Sequence, residues 1–93
     1  MSLILRDIEA EDLDAVLALN NLAGPGIVPI DRDRMRQLYE VARYFRVARH
    51  DGELAGFQVA LSPEARYDSP NFLWFREHFA DFLYIDRIVI DSR

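Results

Sequence analysis

The apolar positions of this chain follow two rhythms, and the places where one gives way to the other mark its elements. Leu3–Asp7 reads as a short strand. The acidic cluster Glu9, Glu11 and Asp12 suits the positive start of a helix. Leu13, Val16 and Leu17 then share one helical face, and Asn20 is the next residue on it. The break "AGPG" at 23–26 ends that helix. The connector 27–30 is apolar and is expected to tuck inward. Asp31 caps a second predicted helix over 32–43, whose stripe is Met35, Leu38, Tyr39 and Ala42.

The rhythm then changes to a period of two in "YFRVARHDGELAGFQVAL". Asp51-Gly52 predicts a two-residue hairpin, because a type I′ turn needs positive φ and glycine tolerates it. A regular ladder around that turn pairs His50 with Glu53, Ala48 with Ala55 and Arg46 with Phe57. One face then carries Ala48, Ala55, Phe57 and Val59, and the other Phe45, Val47, Leu54 and Gly56. Neither face is polar, so the hairpin is expected to be covered on both sides. After a loop over 63–68, Ser69-Pro70 starts a short aromatic helix, "NFLWFREHF". The last strand is predicted over 82–91. Alternation places Tyr84, Asp86, Ile88 and Ile90 on one face and Leu83, Ile85, Arg87, Val89 and Asp91 on the other. The order is β-α-α-β-β-α-β, an α/β fold of the mixed α+β kind.

Composition narrows the function classes. Ninety-three residues allow one small domain. A formal charge of −5 argues against nucleic acid, since phosphate binding needs surplus Lys and Arg. It agrees weakly with a cationic or amine-bearing partner. With no cysteine there is neither a disulfide framework nor a thiolate metal site. "MSLILRD" reaches charge too soon for a secretory signal core, and no stretch has the length of a membrane helix. The expected address is the cytoplasm.

Little of the usual chemistry is present. His50 and His78 lie far apart and neither has a second ligand at close helical spacing, so no metal site is expected. There is no nucleophile elbow, and no glycine-rich phosphate loop. The last strand is more informative, because Asp86 and Arg87 are charges in an apolar strand and each needs a partner, water or a cleft. Two readings stay open: structural ion pairs, or Asp86 in a substrate cleft as proton acceptor or amine anchor. Asn20 either meets solvent or bonds a loop at the end of the first helix, or it lines a pocket. Trp74, Tyr67, Phe72 and Phe75 are either plain core or a pocket wall.

Three stretches in order, "LILRDIEAEDLDAVLALN", "YFRVARHDGELAGFQVAL" and "FLYIDRIVIDSR", give the chain a resemblance to the N-terminal half of a GNAT-superfamily N-acetyltransferase. "RYDSPNFLWF" also resembles a loop and helix that precede the fourth strand in one bacterial branch of predicted acetyltransferases. The resemblance implies that 1–93 is the N-terminal half of one acetyltransferase domain and ends at the fourth strand. The glycine-rich pyrophosphate loop and the splayed fifth strand would follow. It implies acetyl-CoA as co-substrate and a small-molecule or peptide primary amine as acceptor. The fourth strand would bind the pantetheine arm through main-chain groups at Ile88, Val89 and Ile90. Asp86 is the candidate base and Tyr84 the second. Asn20, Tyr67, Asn71 and Trp74 are candidates for the acceptor wall.

Energetics point the same way. Exposing Ile85, Ile88, Val89 and Ile90 forfeits about 1.5–3 kcal/mol each, or roughly 6–12 kcal/mol together. A typical domain has a net stability of about 5–15 kcal/mol. These residues alone are therefore expected to be unstable, to form a homodimer through the open edge, or to be completed by further polypeptide. The rival reading is a small non-catalytic α+β module that binds a ligand or dimerises, with the aromatic helix as lid.

Overall fold

A computed structural model describes residues 3–23 and 27–91. Its elements are β1 (Leu3–Asp7), a 3-10 turn (Ala10–Asp12), α1 (Leu13–Leu22), α2 (Arg32–Val41), β2 (Tyr44–His50), β3 (Glu53–Leu61), α3 (Pro70–His78) and β4 (Tyr84–Ile90). The four strands form one antiparallel sheet in the order β1-β2-β3-β4. The fold is thus a mixed α/β arrangement of one antiparallel sheet and three helices. Of the "AGPG" break, Ala23 closes α1 through its N–H to the Leu19 and Asn20 carbonyls, and residues 24–26 lie outside the described ones.

Most local signals act as the chain predicts, although Ser69, expected to cap α3, makes no side-chain capping hydrogen bond. The Asp31 carboxylate accepts from the Arg34 N–H at 2.8 Å and starts α2. The turn residues Asp51 and Gly52 both take positive φ, 52° and 84°. Pro70 opens α3 at its first turn. α2 ends at Val41, short of residue 43, because Ala42 is already extended. The acidic start of α1 is more than a dipole effect. Asp12 is buried and accepts from Arg6 at 2.7 and 2.9 Å, from Arg49 at 2.9 Å and from the Glu9 N–H at 2.8 Å. The Arg6 hydrogen bonds hold its carboxyl well below the usual carboxylate range against the opposing effect of burial, and Arg49 and the Glu9 N–H add to them. One carboxylate thereby ties β1, β2 and the start of α1 together.

Two bulges correct the simple alternation. In the hairpin, Ala48 pairs with Gly56 and Arg49 with Leu54, so Ala55 is the extra residue. Phe57 consequently lies opposite Val47, and Val59 opposite Phe45. All four share the helix-covered face, where they join Leu13, Val16, Met35, Leu38 and Phe72 in the core. In β4, Arg87 pairs with Val59 and Ile85 with Ala60, which makes Asp86 the extra residue. The bulge turns Ile85, Ile88 and Ile90 to one face and leaves Arg87 and Val89 on the helix side. Asp86 and Arg87 therefore do not point to opposite sides as strict alternation predicts.

The second consequence concerns layers. The hairpin pattern predicts coverage on both faces; among the described residues, helices cover only one. The other face shows Leu3, Leu5, Ile85, Ile88 and Ile90 to solvent, and Ile90 is 76% exposed. The connector tucks in only partly, because Val28 is exposed while Ile27 and Ile30 pack on the core. Among the described residues, no helix is long and apolar enough to cross a membrane.

Candidate functional site

The residues with chemical potential meet around β4. On the helix side, Arg87 lies in a ring of acceptors. Its Nε donates to Asp86 Oδ2 at 2.8 Å, and its Nη1 donates to Asn20 Oδ1 at 2.9 Å and to the Val28 carbonyl at 3.3 Å. The side chains are only 11% exposed for Arg87 and 5% for Asp86. A charge pair taken that far from water persists only if its remaining hydrogen-bonding groups are satisfied. Asn20, which is fully buried, supplies one of those partners.

Asn20 and Asn21 extend the cluster to the connector before α2. Asn20 Nδ2 donates to Asn21 Oδ1 at 2.9 Å and to the Val28 carbonyl at 3.3 Å. Asn21 accepts from the Ile30 N–H at 3.0 Å and donates to the Ile30 carbonyl at 2.9 Å, as a neighbouring strand would. On the other flank is Tyr67, buried, with the Arg34 guanidinium 4.2 Å from its ring centre. Burial pushes the Tyr67 phenol up, the nearby Asp86 charge adds to this, and Arg34 and Arg87 oppose it. Arg34 also donates to Asp68 at 2.6 Å, which lowers the Asp68 carboxyl.

On the outer side, β4 has no neighbour among the described residues. The Asp91 N–H donates to the Ala55 carbonyl at 2.8 Å, so the opposed residues Gly56 and Ile90 form a non-hydrogen-bonded pair. Alternation from that point turns the N–H and C=O of Ile90 and Ile88 away from β3, to the free edge. Val89, opposite Phe57, spends its main-chain groups on the ladder. The three main-chain candidates therefore divide: Ile88 and Ile90 present free groups, and Val89 does not.

The remaining candidates divide as well. Asp86, Asn20 and Tyr67 belong to the buried cluster. Tyr84 is half-buried, with its ring 5.6 Å from both Phe72 and Phe75. Asn71 and Trp74 lie on exposed positions of α3. Trp74 stacks on His78 at 4.1 Å and meets Phe75 edge-on at 5.1 Å. An aromatic path thus runs from Trp74 through Phe75 to Tyr84, while Asn71 stands apart from it. Sequence reasoning did not select Arg34, Asn21 or, as a site member, Arg87. Only Arg87 carried a signal, as a charge in an apolar strand. Among the described residues, no group of three or more His, Asp or Glu side chains is placed to hold a metal ion.

No protein-family model matches the chain, and no curated protein matches it at a significant level.

Proposed function

We propose that the chain is the N-terminal portion of a GNAT-type N-acetyltransferase, which moves the acetyl group of acetyl-CoA to a primary amine. The observation that carries this reading is the free edge of β4. Ile88 and Ile90 direct main-chain donors and acceptors outward, beside a bulge that bends and twists the strand. A pantetheine arm carries amides at a spacing suited to pairing with such an edge, as an added strand does. An outward N–H aimed at the thioester carbonyl stabilises the oxyanion that forms when the amine attacks.

The attacking amine must be neutral, so a base or a water chain takes its proton. Asp86 and Tyr84 remain our candidates. Asp86 is buried and engaged by Arg87, so a proton reaches it through an intervening water or after Arg87 moves. Asn20 contributes by holding the connector 27–30 against Arg87, and Tyr67 by flanking Asp86. Asn71 and Trp74, exposed on α3, supply the outer part of the acceptor wall. The address we propose for such an enzyme is the cytoplasm.

Acetyl-CoA-dependent release of free thiol by the intact protein, followed with a panel of primary amines, tests the reading. At least one amine is expected to support turnover, and acetyl-CoA to raise the melting temperature. Neither effect at saturating acetyl-CoA would overturn it. The alternative, a non-catalytic module that dimerises or binds a ligand, gains support from β1, where Leu3, Ile4 and Leu5 are all exposed on the opposite edge. It predicts a concentration-dependent dimer with no response to acetyl-CoA.

A further inference from the structure

Helix α3 carries more aromatic surface than the fold uses. Phe72 is fully buried and Leu73 packs beside it, and these two hold α3 on the core. Trp74, Phe75 and Phe79 lie outside that core cluster and stay exposed, the indole to 51%. Apolar groups gathered in one exposed patch mark a binding surface. The patch is also ordered. His78 stacks on the Trp74 indole, with ring centres 4.1 Å apart and planes within 18° of parallel. A carbonyl only accepts, so His78 Nδ1 donates to the Trp74 carbonyl at 2.7 Å and ties the imidazole to the backbone. Phe75 and Phe79 meet the indole at steep angles, 81° and 60°, with centres 5.1 and 6.1 Å away. These contacts hold the indole in one orientation. Among the described residues, no second ring lies parallel to it.

We infer that Trp74 is a stacking platform for the acceptor, and that the acceptor is a primary amine bearing a flat aromatic ring on a short alkyl linker. The amine rests on the acetyl-transfer reading above; the ring rests on α3 alone. In that reaction the nitrogen must reach β4, so the group that meets Trp74 is the remainder of the molecule. An aromatic path joins the two places. From Trp74 it passes over Phe75 to Tyr84 of β4, whose ring centre lies 5.6 Å from that of Phe75. A ring laid on the indole opposite the imidazole completes a stack of three. Its linker crosses Phe75 and its nitrogen arrives beside Tyr84. A planar ring makes offset-stacked contact over its whole face, which a puckered saturated ring cannot match. The formal charge of −5 favours a ligand that arrives as a cation.

Trp74 is the single tryptophan of the chain, so its emission reports the platform directly. The intact protein is titrated with phenethylamine and with cyclohexylethylamine, which has the same linker and a saturated ring. Phenethylamine is expected to change the emission in a saturable way, at concentrations roughly three- to tenfold lower than its saturated counterpart. Acetyl-CoA-dependent turnover should favour phenethylamine in kcat/KM by a similar factor. Trp74→Ala should bring that ratio close to one, and a general loss of activity does not imitate a change of ratio. Circular dichroism confirms that the variant folds. Equal kcat/KM for the two amines, a preference that survives Trp74→Ala, emission that neither amine moves, or emission that shifts with protein concentration alone as copies pair through α3 would overturn the inference. A saturable, ring-selective change of emission with no amine acetylated would instead sink the acetyl-transfer reading and leave the ring site standing.

Discussion

Arg87 Nη1 and Asn20 Oδ1 lie 2.9 Å apart although 67 positions separate them in the chain. This bond joins the first helix to the last strand, and Asp86 and Val28 complete the arginine's surroundings. Removing Arg87 would leave the Asp86 carboxylate buried without its partner. Arg87→Ala is therefore expected to destabilise the fold by about 3–5 kcal/mol in urea denaturation. Asn20→Ala removes this acceptor and the Nδ2 donor that serves Asn21 and Val28, but it leaves the ion pair, so its expected cost is smaller, about 1–2 kcal/mol. Equal, small effects from both would mean that the cluster is not buried as described.

Acid stability depends on Asp12. Its folded-state carboxyl titrates below its unfolded value, chiefly because Arg6 donates two hydrogen bonds to it. Its contribution is complete above the unfolded value, near pH 4, and is lost as pH falls through the lower folded-state value. Asp12→Asn is expected to cost about 2–3 kcal/mol at pH 7. It should also flatten the fall in stability that the native protein shows below about pH 4. Parallel pH profiles for the two proteins would exclude this role.

Tyr67 governs the opposite end of the scale. Burial raises its phenol above the ordinary value near 10, and the Asp86 charge adds to this. For an acid whose folded pKa is raised, stability is complete below the unfolded value and declines as pH rises through the folded one. Ultraviolet titration should show a late-ionising step, and Tyr67→Phe should remove it. A titration whose last step is unchanged by Tyr67→Phe would contradict the burial.

Gly56 is needed for the close approach of β4. Because the atom its Cβ would meet is a backbone oxygen at 2.7 Å, no side-chain rotation relieves the contact. Gly56→Ala is expected to cost roughly 1–3 kcal/mol. Hydrogen exchange should quicken at Val89 in β4 while β1 and β2 stay protected. A uniform change across the sheet would point to a different cause.

Local features of this fold were readable from the chain because their causes are local. Asp31 caps α2 with its own side chain, and Asp51-Gly52 turns the hairpin through positive φ. Leu13, Val16 and Asn20 occupy one buried stripe, as their spacing implies. The two bulges were not readable. Ala55 and Asp86 are single extra residues whose effect depends on which residue the partner strand presents, and each reverses the alternation beyond it. Strict alternation therefore puts Phe57 on the wrong side of its neighbours and Arg87 on the face opposite Asp86. Asn20 is recognisable as a polar residue on an inward stripe and Arg87 as a charge in an apolar strand, but their pairing is not, because only the tertiary fold brings them together.

Cofactor binding, as proposed, runs through the outward main chain of β4. The direct measurement is a nitrogen–proton correlation spectrum of the intact protein during addition of acetyl-CoA. The Ile88 and Ile90 amides are expected to shift in a saturable way, with the Val89 amide, already bonded to β3, moving less. A spectrum unchanged at millimolar acetyl-CoA, or changes confined to residues away from β4, would contradict it.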